Sequence, residues 1–167
     1  MKPVTKLMLL ALVAISLTQC KKDDPANVSL AGQWRMTDIH CDDGAATFDL
    51  GGIEVTQTYS YHGIEYNTIT TFTENPNEFT STGTYIFEIT TVFFGQSTTE
   101  EVEAEAFLGS GEWSIEGDKF IQIFGGNTTE MTILENTGSK LRLRQDVDIT
   151  LNGTHTTQTA FSTFERI

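Results

Sequence analysis

The sequence predicts an all-β domain built as an antiparallel up-and-down barrel. Threonine supplies 27 of the 167 residues and phenylalanine 11, but proline only 3, and threonine and aromatic residues are enriched in strands. After Cys20, no stretch keeps an apolar period of 3.6 residues for three turns, as an amphipathic helix would. Strand candidates instead follow one another with turn residues between them. A meander of about eight to ten strands usually closes to remove its edges, so a barrel is favoured over two packed sheets.

The first 19 residues have the layout of a secretory signal. Lys2 and Lys6 precede an uncharged apolar run over residues 7–17. This run of about eleven residues is too short for a bilayer span, which needs roughly 20, so it predicts a cleaved segment, helical over residues 4–17 in the precursor.

The chain divides into three parts. Residues 1–19 form the signal peptide, residues 20–29 form a tether with a proline and no apolar periodicity, and residues 30–167 form the barrel domain. Without Lys2 and Lys6, the mature chain carries a net charge of about −15, which argues against nucleic acid and anionic lipid headgroups as partners.

The turn signals divide the domain into short strands. The strongest is Asn152-Gly153, a hairpin signal, and Asn75-Pro76-Asn77 and Asp42-Asp43-Gly44 also read as turns. Gly63 is expected to break a strand, and Gly83 to form a bulge or corner. The predicted strands are 33–41, 53–62, 64–74, 78–82, 84–94, 96–108, 112–115, 119–124, 130–135, 140–151 and 154–167, where 78–82 and 84–94 are either a pair or one bent strand.

The segment around Cys20 resembles the lipobox of bacterial lipoproteins. Leu17-Thr18-Gln19-Cys20 carries the pattern, although Gln19 stands where a small residue is usual. The resemblance implies cleavage before Cys20, lipid attachment at its thiol and membrane anchoring through that lipid. Lys21-Lys22-Asp23-Asp24 resembles the export signal of surface lipoproteins in the Bacteroidota, which implies an outer-membrane lipoprotein displayed at the cell surface. The alternative is an ordinary exported protein with a cysteine near the cut.

The domain itself resembles the lipocalins. Leu30-Ala31-Gly32-Gln33-Trp34 is similar to their Gly-x-Trp opening, and Gly111-Glu112-Trp113, Gly117-Asp118-Lys119 and Phe164-Glu165-Arg166 are similar to segments of lipocalin-like lipoproteins of the Bacteroidota. The resemblance implies that Trp34 closes one end of the barrel and that Arg166 packs over it. The second lipocalin signature is not recognisable, and no cysteine pair ties the terminus to the barrel.

No residue pattern indicates catalysis, a metal or a cofactor. In His40-Cys41-Asp42-Asp43, neighbouring side chains on a strand point to opposite faces, which favours a strand end running into an acidic turn. Glu100, Glu101, Glu103 and Glu105 match no calcium-loop spacing, and Ser110 lies in no nucleophile-elbow motif. The protein is therefore predicted not to be an enzyme.

Aromatic residues are the remaining functional candidates. Several lie on strands that a meander makes neighbours, in phases that allow them to face one interior, and a barrel of about eight strands has room for one small ligand. The alternative is that the rings fill the core of a surface interaction module for glycans or proteins. The predicted ligand-binding residues, for a small apolar or amphipathic molecule, are Tyr59, Tyr61, Tyr66, Phe72, Tyr85 and Phe87.

The lipidation hypothesis is tested by Cys20→Ser. Without the thiol there is no site for the diacylglycerol, so we expect the precursor to stay uncleaved by the lipoprotein peptidase and the protein to leave the membrane fraction. Cell fractionation and intact-mass measurement check this. A variant of normal mature mass that remains in the membrane fraction would contradict it.

Overall fold

A computed structural model describes residues 28–106 and 108–167, which form strands and turns. The helix predicted over residues 4–17 and the predicted lipidation site, Cys20, lie outside the described residues. The strand segments are β1 (Gly32–Asp49), β2 (Glu54–Tyr66), β3 (Ile69–Thr73), β4 (Glu78–Thr82), β5 (Thr84–Phe93), β6 (Gln96–Glu105), β7 (Ser110–Glu116), β8 (Lys119–Phe124), β9 (Asn127–Asn136), β10 (Lys140–Leu151) and β11 (Thr154–Arg166).

Six of these segments combine end to end into three longer strands. β2 and β3 both pair antiparallel with β1, with Tyr61 opposite Cys41 in β2 and Thr70 opposite Trp34 in β3. In the same way, β4 and β5 run along β3 and β2, and β7 and β6 run along β4 and β5. The chain therefore makes an up-and-down meander in which each strand is antiparallel to the next.

One half of the meander is a closed barrel. The strands follow one another in the order β1, β3, β4, β7, β8, β9, β10 and β11, and β11 pairs antiparallel with β1. In that last pairing, Trp34 lies opposite Arg166. The predicted all-β, antiparallel up-and-down barrel is confirmed, and the sandwich alternative is excluded.

The other half remains open within the described residues, because β9 separates from β10 beyond the pair of Arg144 with Thr132 and continues with β8 alone. β9 pairs with β10 only as far as Arg144, so residues 145–151 of β10 pair with β11 alone. β6 pairs with β5 alone. What remains is a six-stranded sheet in the order β6, β5, β2, β1, β11 and β10. We call these two parts the closed half and the open half.

The closed half is filled by its own side chains. Phe72 lies at its centre, with ring centroids 5.8 Å from both Trp113 and Phe120 in edge-to-face geometry, an arrangement that aromatic pairs prefer. The other large side chains buried around them are Trp34, Met36, Phe79, Met131, Ile133, Leu141, Leu143 and Phe164. This packing leaves the closed half as the hydrophobic core of the domain.

Arg166 covers the closed end of the barrel. Its guanidinium carbon lies 4.5 Å from the centroid of the fully buried Trp34 indole, within the range of a cation–π contact. The same guanidinium donates hydrogen bonds to the carbonyl oxygens of Ser29, Ala31 and Gly138. The Trp34 indole in turn donates to the carbonyl of Leu30 at 2.8 Å. The segment before β1 is thus fixed across the base of the barrel.

The predicted turn at Asp42-Asp43-Gly44 is wrong. β1 continues through these residues as a bulge. Between the paired positions that flank the bulge, β1 has one residue more than β2 and one residue more than β11. Asp43 accepts a hydrogen bond from the backbone N–H of Thr159 at 3.1 Å. Bulges and turns favour the same residue types, because both bend the chain and leave backbone groups unpaired. β1 therefore extends well beyond its predicted end at Cys41.

The expected strand break at Gly63 is also a bulge. β2 passes through it with a register shift against β5 between Gly63 and Glu65. The turns at Asn75-Pro76-Asn77 and Asn152-Gly153 lie where the sequence predicted them, each at the end of a hairpin. At the second of these, both central residues have positive φ, as a tight hairpin turn requires.

Trp34→Ala is expected to destabilise the domain by about 3–5 kcal/mol, because it empties a fully buried indole site. That is a large part of a typical stability of about 5–15 kcal/mol. Arg166→Ala is expected to cost about 1–3 kcal/mol, since it leaves carbonyl groups unpaired. Urea unfolding measures both changes. Phe94→Ala, at a side chain that is 72% exposed, is the control and should change stability by less than about 0.5 kcal/mol. A Trp34→Ala variant as stable as this control would contradict the role of Trp34 in closing the end of the barrel.

Candidate ligand-binding site

The inner face of the open half carries a wall of aromatic rings. Tyr61 and Phe87 have ring centroids 5.5 Å apart, and Phe87 and Tyr85 5.8 Å apart. Strand pairing places them on one face, because Tyr61 lies opposite Cys41, whose side chain is buried on the core side. Tyr61 and Phe87 pack on the core but remain partly exposed. We call these three rings, together with Tyr59 and Tyr66, the aromatic wall.

Two glycines at the bulges make room for the outer rings of the wall. The ring of Tyr59 lies directly over Gly44, and that of Tyr66 lies over Gly63, so that a Cβ at either glycine would collide with the ring above it. The sequence predicted a turn at Gly44 and a strand break at Gly63. The bulges found at these glycines position Tyr59 and Tyr66, two of the predicted ligand-binding residues.

Side chains on the inner face of the open half contact one another across intervening strands. Tyr59 of β2 donates a hydrogen bond to Gln158 of β11 at 3.0 Å, passing over β1. Phe48 of β1 stacks with Phe93 of β5 at 6.0 Å, passing over β2. The strands of this half continue those of the closed barrel, so the sheet curves toward this face. We call the inner face of the open half the cleft.

The cleft wall is electrically neutral. Burial raises the pKa of Tyr61 well above its usual value, with smaller contributions from neighbouring titratable groups, and burial also raises the pKa of Tyr59, Tyr66 and Tyr85. Burial likewise raises the pKa of the Cys41 thiol, which faces the same side. At neutral pH these groups keep their protons, so the wall presents hydroxyl groups and rings without charge.

Phe72 lies apart from the other five predicted ligand-binding residues. It is 1% exposed and surrounded by rings in the closed half. The structure brings Tyr59, Tyr61, Tyr66, Tyr85 and Phe87 to the cleft and keeps Phe72 in the core.

Sequence reasoning missed Phe48 as a cleft residue. It lies opposite Val55 near the end of β1, beyond the point where the strand was expected to stop. Once β1 is extended through its bulge, period-two alternation over Gly44, Ala46 and Phe48 places Phe48 on the inner face. This alternation could have identified Phe48 from the sequence. It was missed because the turn predicted at residues 42–44 ended β1 too early.

The histidines lie outside the cleft, each beside an acidic residue. His40 stacks on Phe161 and lies 2.8 Å from Asp38, on the face opposite Cys41. Nε2 of His155 lies 2.7 Å from Oδ1 of Asp148, and Nε2 of His62 lies 3.8 Å from Oε1 of Glu88. Within residues 28–106 and 108–167, no three His, Cys, Asp or Glu side chains converge on a point where they could ligate a metal. A search of the same residues for an apolar helix of membrane-spanning length finds none.

Comparison with known proteins identifies the family. The model of the lipocalin-like domain matches residues 30–143. Among solved structures, an S-type phycobiliprotein lyase from Guillardia theta aligns with 83% of this chain and 88% of its own, at 10% sequence identity and a TM-score of 0.34. The comparison with curated proteins gave no match. Since the family model covers more than half of the sequence, the chain belongs to the lipocalin-like domain family.

Proposed function

We propose that this protein is a binding protein, not an enzyme, that holds a small apolar or amphipathic molecule in the cleft. The observation that carries the proposal is the contrast between the two halves. Fully buried side chains occupy the closed half. The open half is lined by four partly exposed rings and by Tyr85, which is 9% exposed and joins the wall to the core. Concave, mostly apolar surfaces with a few polar groups are typical of small-molecule sites.

The exposed rings leave free energy available for binding. Apolar surface removed from water contributes about 25 cal/mol per Å², and the rings of Tyr61 and Phe87 are partly exposed. A ligand that covers them gains this contribution without displacing any part of the core. The hydroxyl of Tyr59 and the amide of Gln158 already form a hydrogen bond, and they offer a polar position at which a ligand can be oriented.

The chemistry of the cleft supports binding over catalysis. Its titratable groups include tyrosines and a cysteine whose pKa values are raised by burial. A thiol that keeps its proton is a weak nucleophile, and a tyrosine that keeps its proton is a poor general base at neutral pH. The groups of the wall are therefore suited to contact and hydrogen bonding.

We propose further that the mature protein is an outer-membrane lipoprotein anchored through Cys20 and facing the outside medium. The start of the described chain lies at the closed end, where Asn136 donates to the carbonyl of Val28 at 3.0 Å. Residues 20–27, fully extended, would reach about 26 Å, whereas the 18 residues of β1 extend about 60 Å. The tether would therefore leave the mouth of the cleft directed away from the membrane that holds it.

Binding is tested with the neutral fluorescent probe N-phenyl-1-naphthylamine. We expect Phe87→Ala to weaken binding about tenfold or more, since losing a buried aromatic contact costs about 1.5–3 kcal/mol. Phe124→Ala, an exposed ring on the β8–β9 turn, is the control and should bind as the wild type does. Fluorescence titration gives both dissociation constants. Equal affinity of the two variants would place the probe outside the cleft.

The natural ligand is sought by native mass spectrometry of the delipidated protein purified from its own host. A retained small molecule, absent from the Phe87→Ala variant, is the expected result. Retention of the same molecule by that variant would argue against the cleft as its site.

The second candidate function is a surface interaction module. It is favoured by large apolar side chains exposed at all four hairpin turns of the open end, namely Leu50, Ile53, Phe94, Phe124 and Leu151. Apolar clusters at a surface mark interaction sites. This function would take precedence if the probe does not bind and a protein or glycan partner is lost specifically from Phe94→Asp.

A further inference from the structure

We propose that the cleft accepts neutral and cationic ligands and rejects anions. This inference rests on the proposed function and narrows its ligand class. It excludes fatty acids, sulfonates and phosphates as the principal ligands. Its basis is the placement of every basic side chain of the described chain.

Four of the six basic residues in the described chain lie near the closed end of the barrel. Arg166 covers the Trp34 ring, and Arg35, adjacent to Trp34 on β1, is exposed on the opposite face. Lys119 begins β8 beside the β7–β8 turn, and Lys140 begins β10, 3.5 Å from Glu135. None of the four reaches the aromatic wall.

The remaining two lie on the outer face. Arg142 stands between Leu141 and Leu143, which point inward and are buried, so strand alternation directs Arg142 outward. Arg144 alternates with Leu143 in the same way and pairs with Asp146 at 2.9 Å. The inner face of the open half therefore carries no arginine or lysine among residues 28–106 and 108–167.

The charged groups nearest the wall are acidic. Asp43, in the bulge of β1, raises the pKa of Tyr59 through its negative charge, in addition to the larger effect of burial. Glu100 lies opposite Ile89 on the inner side of β6. An anion entering the cleft would lose hydration without meeting a cation and would approach these carboxylates. The net charge of about −15 on the mature chain adds repulsion at a distance.

The wall itself favours the opposite charge. The faces of aromatic rings carry partial negative charge and attract cations, and neutral tyrosine hydroxyls accept hydrogen bonds from ammonium groups as well as donate them. Neutral planar molecules stack on the same rings without a penalty for an unpaired charge. The aromatic wall that carries the proposed function therefore also favours neutral and cationic ligands over anions.

The test compares two probes that differ by one sulfonate group. N-phenyl-1-naphthylamine is neutral, and 1-anilinonaphthalene-8-sulfonate has the same rings with one negative charge. We expect the neutral probe to bind at least tenfold more tightly, and dodecylamine but not dodecanoate to displace it. Equal or tighter binding of the sulfonate would overturn this inference while leaving the proposed function in place. Failure of both probes to bind would overturn the proposed function itself.

A matched pair of variants separates the cleft from the overall charge. Glu100 and Glu101 are adjacent on β6 and both exposed, but they lie on opposite faces of the strand. Glu100→Lys places a cation on the inner face, so it should increase the affinity for the sulfonate about tenfold or more. Glu101→Lys makes the same change in net charge and should increase it less than threefold. Equal gains from the two variants would show that net charge, not the cleft, excludes anions.

Discussion

The pairing of the first strand with the last is the constraint on which the rest of this structure depends. β11 joins β1 along most of its length, and Arg166 closes the base by covering Trp34 while it donates to three backbone carbonyls. These carbonyls give the guanidinium the partners that a partly buried cation needs. Gly32 permits the arrangement because a Cβ there would lie 2.8 Å from the guanidinium.

Strand pairing then divides the barrel into a closed half and an open half with different roles. β10 pairs with β9 only as far as Arg144, whereas β1 and β11 stay paired as far as Thr47 and His155, so only the closed half completes a ring of strands. The same long strands supply packed core side chains in that half and the exposed aromatic wall in the other. A core that is rigid and complete holds the cleft in shape without depending on any ligand. Positive charge follows the same division, because the arginine and lysine side chains of the described residues occupy the outer face and the closed end, whereas the wall is neutral.

Local chemistry predicted much of the fold, and non-local geometry accounts for what it missed. Asn152-Gly153 specifies its hairpin by itself, because few residues adopt the backbone conformation that this turn requires. Asp42-Asp43-Gly44 does not specify a turn, since the same residues suit a bulge and only the partner strands decide between the two. Phe72 and Phe87 have equivalent alternation in the sequence. Their different environments depend on where β9 separates from β10, two strands far along the chain.

The central claim is that a ligand enters the open half and leaves the closed half unchanged. Aromatic NMR spectra recorded during titration with N-phenyl-1-naphthylamine test it most directly. The account predicts chemical-shift changes for Tyr59, Tyr61 and Phe87, with the resonances of Phe72 and Phe120 nearly unmoved. Changes concentrated at Phe72 and Phe120, or confined to Phe94 and Phe124 at the hairpin turns, would contradict it.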